Sequence, residues 1–583
     1  MLLADTRRFA AWVGAWLLAA SLAACSEQAP NSSGQSPSTD GQLLFDTSGL
    51  ADIGGDGSAV DSGPDDIALD AAESAAGSDS GESTDTITPA DGVADTDNGG
   101  ALDSGTANDG GAATDSGALD DSGATTDATA GQSDTDVGTD TAASTDSGLV
   151  WDLAAIGDLG TAKCTYSQES TGFEGLTQVK SWHVTYQSWE WLDGQLKPIL
   201  IRGFAARPVT GTKFPGIVQA HGLGGSSKLN DAVSLAGRLG VFAIAYTGPG
   251  GGAVEEGNLS EGLPAGHNNG YRMFDVLTDV RGSWFWGHAT AAMRAVTCLT
   301  GRPEVDTTKL GATGFSAGGV VSLLVAGHDP RIKAAVPLSG TLAWDTATLA
   351  PKAWQHTLLQ KAGLSVASAE WKKLMSDLIA PAVALAQTKA AVLMVNGTTD
   401  EFFPMTAHMA TWNAIPTDKR LAFAGNFDHG CYGVSGGEPA ATIEDRAKIR
   451  AEGGQMAWFG HWFGTDGDFG YLPATPQFSV QSVGGASLVS AVVDGGGNKL
   501  QIDEVRVWWS NDDAFFFASD KLDKQSGTVY GKLVPVALQP NSVVFVDVTY
   551  KTSLPFVRKF ALATVPQIGA SLVPNIRGID SCL

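Results

Sequence analysis

Residues 309–319 read K-L-G-A-T-G-F-S-A-G-G. An apolar run from Leu310 to Phe315 is interrupted by Ser316 between Gly314 and Gly318, and small residues at helical spacing continue from Ala317 to Ala326. This is G-x-S-x-G in a strand-turn-helix setting. A sharp, strained turn lifts the serine hydroxyl above the sheet, and residues without bulk on either side let strand and helix close around it. Glycine is abundant here, 73 of 583 residues, so the five letters alone also fit an ordinary strand-to-helix turn. The order of possible partners along the chain has to decide.

Working outward, strand-like runs at 181–191 and 197–207 flank Leu192-Asp193-Gly194, a hairpin signal. Residues 214–220, F-P-G-I-V-Q-A, form a continuous apolar strand of the buried parallel type and run into H-G-L-G-G at 221–225. A helix over 230–239, a strand over 241–246 and an Ala-rich helix over 284–299 precede the serine strand. After it come a strand at 332–338, a Trp-containing helical insertion reaching about residue 386, and a strand at 390–395 that ends in N-G-T-T-D-E-F-F-P. A strand at 420–424, expected to be the last of the sheet, delivers N-F-D-H-G at 426–430, and a helix over 441–463 closes the unit. Strands alternating with helices predict an α/β fold with a doubly wound, mostly parallel sheet. Beyond Tyr471 only short runs remain, at 478–483, 488–493, 505–509, 514–518, 533–537 and 542–550, which predict a separate, small all-β, sandwich-like domain.

In a doubly wound hydrolase sheet the chain order is nucleophile, acid, base. Of the nine histidines, His408, His429 and His461 follow the acid loop. His408 lies inside a helical run and His461 among aromatics of the closing helix, so His429, in a glycine-flanked loop after a strand, is the candidate base for Ser316. Asp400 is the candidate acid, with Glu401 as the neighbouring alternative; Asp428 is too close in sequence to face the ring of His429 easily. The glycines of H-G-L-G-G could cradle a phosphate, but no acidic residue follows the next strand as the dinucleotide fingerprint requires. They fit an oxyanion hole instead, with the N–H groups of Leu223 and Ala317 as donors and His221 orienting the loop. Nothing in these motifs calls for a cofactor, a metal or a nucleic acid. Phe402, Phe403, Trp344 and Trp354 lie where the active edge should be; they can stack on a ring-like alcohol or pack the insertion onto the sheet.

With these residues placed, the chain over about 182–463 resembles the α/β-hydrolase superfamily. G-F-S-A-G-G, G-T-T-D-E-F-F-P and D-H-G are similar to the catalytic domains of prolyl oligopeptidases and of the dienelactone hydrolase and acetyl xylan esterase group. The resemblance implies a Ser316-His429-Asp400 triad and an oxyanion N–H at Leu223. It implies ester hydrolysis through an acyl-enzyme, on a small-molecule or polysaccharide-linked ester. A serine peptidase and an inactive surface-binding protein are the alternatives. No β-propeller precedes the hydrolase part, as it does in oligopeptidases, and the C-terminal β region is foreign to the acetyl esterase pattern.

At the amino terminus, Arg7 and Arg8 precede an apolar run from Phe9 to Ala24 that stops at Cys25. Charge, short apolar stretch and small residues describe a secretory signal, and L-A-A-C-S at 22–26 resembles the lipobox of bacterial lipoproteins. That resemblance implies lipidation of Cys25, a membrane anchor and a place in the bacterial cell envelope, on the outer membrane. Residues 26–150 carry 26 Asp plus Glu and no Lys, Arg or His, so of a net charge of −28 only −2 belongs to the rest. Such a segment cannot bury enough apolar surface to fold and is expected to be a disordered acidic tether. The organisation expected is therefore a signal and lipobox (1–25), a tether (26–150), a hydrolase domain (151–470) and an all-β domain (471–583). Cys164, Cys298, Cys431 and Cys582 allow two disulfides after export, in any of three pairings. Cys298, at the carboxy end of a helix running against the strands, should lie too far from Cys431 to bond to it.

Overall fold

The computed structural model describes residues 150–268, 270–430, 438–464, 470–553 and 558–576. The signal and Cys25, the acidic segment up to residue 149, Cys431 and Cys582 lie outside the described residues, together with the expectations attached to them.

Strands β1 (Thr165–Glu174), β2 (Thr177–Leu192) and β3 (Gln195–Pro208) form an antiparallel meander. The β2–β3 turn is Asp193-Gly194, both at positive φ (52° and 75°), the handedness that matches the twist of a two-residue hairpin. Next to β3, and antiparallel to it, lies β5 (Phe242–Tyr246). A parallel set then runs β5, β4 (Phe214–Ala220), β6 (Val305–Phe315), β7 (Ile332–Leu338), β8 (Ala391–Gly397) and β9 (Lys419–Ala424). Every residue of β5 and β8 is buried, as their unbroken apolar sequences require of strands covered on both faces. From β4 the chain moves outward to β5 and then returns to β6 on the other side of β4. That reversal opens a crevice at the carboxyl ends of β4 and β6, between the segments starting at His221 and Ser316.

Helices Trp284–Thr300 and Ala317–His328 cover one face of the sheet, and Leu229–Leu239 and Ala440–Phe463 the other. Helix Trp284–Thr300 is buried almost all round, which explains its run of alanines. Its last turn holds Cys298, bonded to Cys164 just ahead of β1 with a Cα separation of 5.6 Å. With its sulfur bonded to Cys164, Cys298 is not bonded to Cys431, as expected.

The sheet does not end at β9, where the sequence reading stopped it. β17 (Lys559–Ala563) pairs antiparallel with β9 through Ala563 and Leu421, and β16 (Val543–Thr552), β12 (Leu500–Ser510) and β13 (Ala518–Lys521) continue it outward. A short β18 (Gln567–Ile568) pairs with β16. A second sheet holds β10 (Gln477–Val483), β11 (Ala486–Val492), β15 (Val529–Val534) and β14 (Asp523–Ser526). Val489, Ala491 and Val534 of this sheet share an apolar cluster with Val507, Val546 and Val548 and with Trp458 of the closing helix. The C-terminal region is thus all-β and two-layered, as expected, with one layer continuous with the hydrolase sheet. The expected strand at 514–518 is instead a turn that leads into β13 only at Ala518, because Asp513 and Ala514 take positive φ (60° and 65°) and break the extended run.

Candidate active site

Ser316 sits between β6 and helix Ala317–His328 at φ 60°, ψ −124°. A non-glycine residue there stores about 1–3 kcal/mol of strain and persists only where its surroundings hold it. They do so through its backbone: Ser316 N–H donates to Leu338 O at 2.9 Å, and its carbonyl accepts from Gly319 N–H at 2.8 Å. The flanking glycines are required by contact. A Cβ on Gly318 would stand 2.1 Å from Ala220 O, and one on Gly314 2.5 Å from the same atom. The side chain is thereby presented at the crevice while remaining largely covered, 5% exposed.

Loops after β8 and β9 converge on it. Ser316 Oγ lies 2.8 Å from His429 Nε2, and His429 Nδ1 lies 2.9 and 3.1 Å from the two carboxylate oxygens of Asp400. Asp400 Oδ1 also accepts the N–H groups of Phe402 and Phe403 at 2.9 and 2.8 Å, which fixes the carboxylate. With Nδ1–H donated to Asp400, Nε2 is left as the acceptor facing the serine hydroxyl. Glu401, the alternative acid, faces elsewhere: its Oε2 accepts the backbone N–H of His429 at 3.1 Å. Burial first, and the nearby Asp428 and Asp400 after it, hold the Glu401 carboxyl well above the ordinary carboxylate range. Asp428 Oδ1 accepts from Gly430 N–H at 2.9 Å.

The His429 ring lies between Phe402, stacked at 4.2 Å, and Phe315, tilted at 4.9 Å. Neither contact was drawn from the sequence, although both residues adjoin motif positions. Of the four aromatics noted there, Trp344 and Phe403 are fully covered and Trp354 and Phe402 nearly so. Trp354 contacts Phe402 at 4.9 Å and Trp344 at 5.9 Å. These rings fasten the insertion to the acid loop, the second of the two roles expected of them. His408 is buried in helix Met405–Ala414, and His461 is exposed on the closing helix, both away from this hydrogen-bond chain.

After β4, Gly222 abuts the serine: a Cβ there would be 3.3 Å from Ser316 Cβ. Leu223 follows it at the crevice, and Ala317 begins the helix whose first N–H groups lack partners within the helix. His221 anchors the loop from both ring nitrogens. Its Nε2 accepts Gly248 N–H at 2.8 Å, so its Nδ1 carries the proton and donates to Gly222 O at 2.6 Å. Burial lowers its pKa to about 4, which keeps this tautomer in place at neutral pH.

Residues 142–345 match the family model for acetyl xylan esterase, and residues 281–426 the model for the prolyl oligopeptidase family. A carboxymethylenebutenolidase-like protein of Methylorubrum extorquens is 30% identical over 157 residues, 26% of this chain and 49% of that protein. The chain thus spans about half the length of the curated relative it matches. Among solved structures, an acetyl xylan esterase from Paenibacillus sp. R4 aligns at 18% identity over 50% of this chain and 91% of its own, with a TM-score of 0.40. An acetyl xylan esterase from Thermoanaerobacterium sp. JW/SL YS485 aligns at 19% identity over 51% and 93%, with a TM-score of 0.38.

Proposed function

We propose that this α/β-hydrolase relative is a serine hydrolase that cleaves carboxylic esters, acetyl esters among them, through an acyl-enzyme. The observation that carries the reading is the unbroken hydrogen-bond chain Ser316–His429–Asp400 on a strained turn. Ser316 Oγ attacks the acyl carbon while His429 Nε2 takes its proton, and Asp400 stabilises the imidazolium that results. The carbonyl electrons move to oxygen, where the N–H groups of Leu223 and Ala317 receive the negative charge; one such donor is worth about 3–4 kcal/mol. Collapse expels the alcohol, which takes the proton from His429. Water, deprotonated by the same ring, then attacks the acyl-serine and releases the acid. The match over residues 142–345 supports an ester on a small molecule or a polysaccharide as substrate.

The match to the prolyl oligopeptidase family over 281–426 favours a second reading as a peptidase. The test is fluorophosphonate labelling followed by turnover of p-nitrophenyl acetate and butyrate, acetylated sugars and aminoacyl anilides. Labelling of the wild type, none of Ser316→Ala, and preference for the short esters are expected. Anilide kcat/KM at or above that of the esters would install the peptidase, and an unlabelled wild type would leave a binding protein on a hydrolase scaffold.

We further place the protein in the bacterial envelope, anchored to the outer membrane through a lipidated Cys25. The Cys164–Cys298 disulfide supports an oxidising compartment. Cys25→Ser should move the protein out of the membrane fraction, and unchanged fractionation would refute the anchor.

A further inference from the structure

The loop that carries His429 is held from two sides. On the inner side it is tied to the acid loop. Thr398 N–H donates to Ala424 O at 3.0 Å, Thr399 N–H donates to Phe427 O at 3.2 Å, and Asn426 N–H donates to Thr398 Oγ1 at 2.8 Å. On the outer side the partners come from the C-terminal β region. Asn426 Nδ2 donates to Phe517 O and Asn426 Oδ1 accepts Phe517 N–H, both at 2.8 Å, so one side-chain amide does for Phe517 what a neighbouring strand would do. Asn426 is buried and sits at φ 56°, a left-handed conformation that Asn adopts more readily than bulkier residues. Beside it, Gly425 lies against Trp508 of β12 so closely that a Cβ would fall 2.3 Å from the ring. Arg446 of the closing helix donates to Gly425 O at 2.6 Å and lies over the same Trp508 ring at 4.7 Å.

We infer that Asn426 is a positioning residue through which the C-terminal β region sets the His429 imidazole against Ser316; the inference rests on the hydrolase reading above. The acid side of the hydrogen-bond chain is fixed by the N–H groups of Phe402 and Phe403, which belong to the acid loop itself. On the histidine side, Phe427 O accepts Thr399 N–H and Asp428 Oδ1 accepts Gly430 N–H. The loop backbone is pinned further by Glu401 at His429 N–H and, three residues earlier, by the paired amide of Asn426. Removing that amide strands the N–H and carbonyl of Phe517 in a buried place and releases the base of the loop. A displacement of about 1 Å at a reacting group slows turnover on the order of 100-fold, although substrate binding by the other walls of the site is untouched.

The experiment uses the full chain, with Asn426→Gly, which keeps the left-handed backbone and deletes both bonds, and Asn426→Asp, which keeps the acceptor and turns an oxygen on the Phe517 carbonyl. The readouts are kcat and KM on p-nitrophenyl acetate, the rate of fluorophosphonate labelling, and the folded fraction by circular dichroism. Expected for Asn426→Gly is a fall of about 10- to 100-fold in kcat and in labelling rate, with KM within about threefold of wild type. Asn426→Asp should fall in the same direction. Wild-type rates per folded molecule in Asn426→Gly would overturn the inference, and if that variant does not fold, wild-type rates in Asn426→Asp would do the same. A wild-type protein that is neither labelled nor active would remove the hydrolase reading itself, and the positioning role with it.

Discussion

At the scale of single residues, Ser316, Asp400 and His429 were legible because each ends a strand in a recognisable turn, and chain order then selects among the candidates. Glu401 was not. It stands next to Asp400 in sequence, yet its carboxylate points to the backbone of His429 rather than to the ring, a distinction that depends on the turn and not on the residue type. Its environment has a measurable consequence. Burial, followed by Asp428 and Asp400, raises its pKa well above the usual 4.5. Between about pH 4.5 and that raised value the unfolded chain releases the proton and the folded chain retains it. The carboxyl's contribution to stability is therefore fully present below about pH 4.5 and is lost as the pH rises toward the folded pKa. Glu401→Gln has no proton to lose and can still accept from His429 N–H. The variant should be close to wild type in stability near pH 4.5 and more stable than it at pH 8. Urea denaturation at the two pH values checks this, and a difference that does not change with pH would mean that Glu401 ionises in the fold as it does in the unfolded chain.

Among elements, the apolar strands β4, β5, β7 and β9 were read within a residue of their ends, since a run that is apolar on both faces has few other uses in a protein of this size, whereas β6 starts five residues before the run read at 310–315 and β8 ends two residues beyond the run read at 390–395. β1 escaped notice because its residues are mostly exposed and polar, so it shows no hydrophobic period to find. What secures that part of the structure is covalent. Cys164 precedes β1, Cys298 ends the buried helix Trp284–Thr300, and the two are 134 positions apart. Between them the Tyr166 hydroxyl also donates to Cys298 O at 3.1 Å. Closing so long a loop restricts the unfolded chain, by about 5 kcal/mol in the chain-entropy account, with 2–4 kcal/mol the usual yield. Cys298→Ala should accordingly lower the unfolding free energy by about 2–5 kcal/mol in urea. Wild type in reductant should lose at least as much. A variant as stable as the oxidised wild type would show that the unfolded chain is no freer without the bond.

For the whole molecule, the sequence reading ended the hydrolase sheet at β9, and the structure continues it through β17, β16, β12 and β13, with a second sheet beside them. The continuation went unread for a physical reason: strand pairing between β9 and β17 joins Leu421 to Ala563, and a contact over so many positions leaves no local pattern. A hint was present in V-V-F-V-D-V at 543–548. An exposed sandwich strand alternates, whereas this run is buried on both faces, as a strand inside a larger sheet must be. One face of it meets the second sheet and the closing helix, while Phe545, on the other, meets Phe423 of β9 and Trp508. Arg450 of the closing helix donates to Phe423 O and pairs with Asp547 of β16, with both side chains buried. Such a pair gains its value from mutual contact, and a buried charge left without its partner is penalised by several kcal/mol. The C-terminal region is consequently not an appendage that can be removed. A chain ended at residue 470 would leave Arg450 without Asp547, bare the hydrogen-bonding edge of β9, and expose the apolar surface that Trp458 and Phe423 now share with β16. It should accumulate as insoluble or self-associated material on size-exclusion chromatography, without fluorophosphonate labelling, under conditions where the full chain is monodisperse and labelled. A soluble, labelled fragment with wild-type kcat would mean that the hydrolase sheet is complete at β9 and that the extension beyond it serves some other purpose.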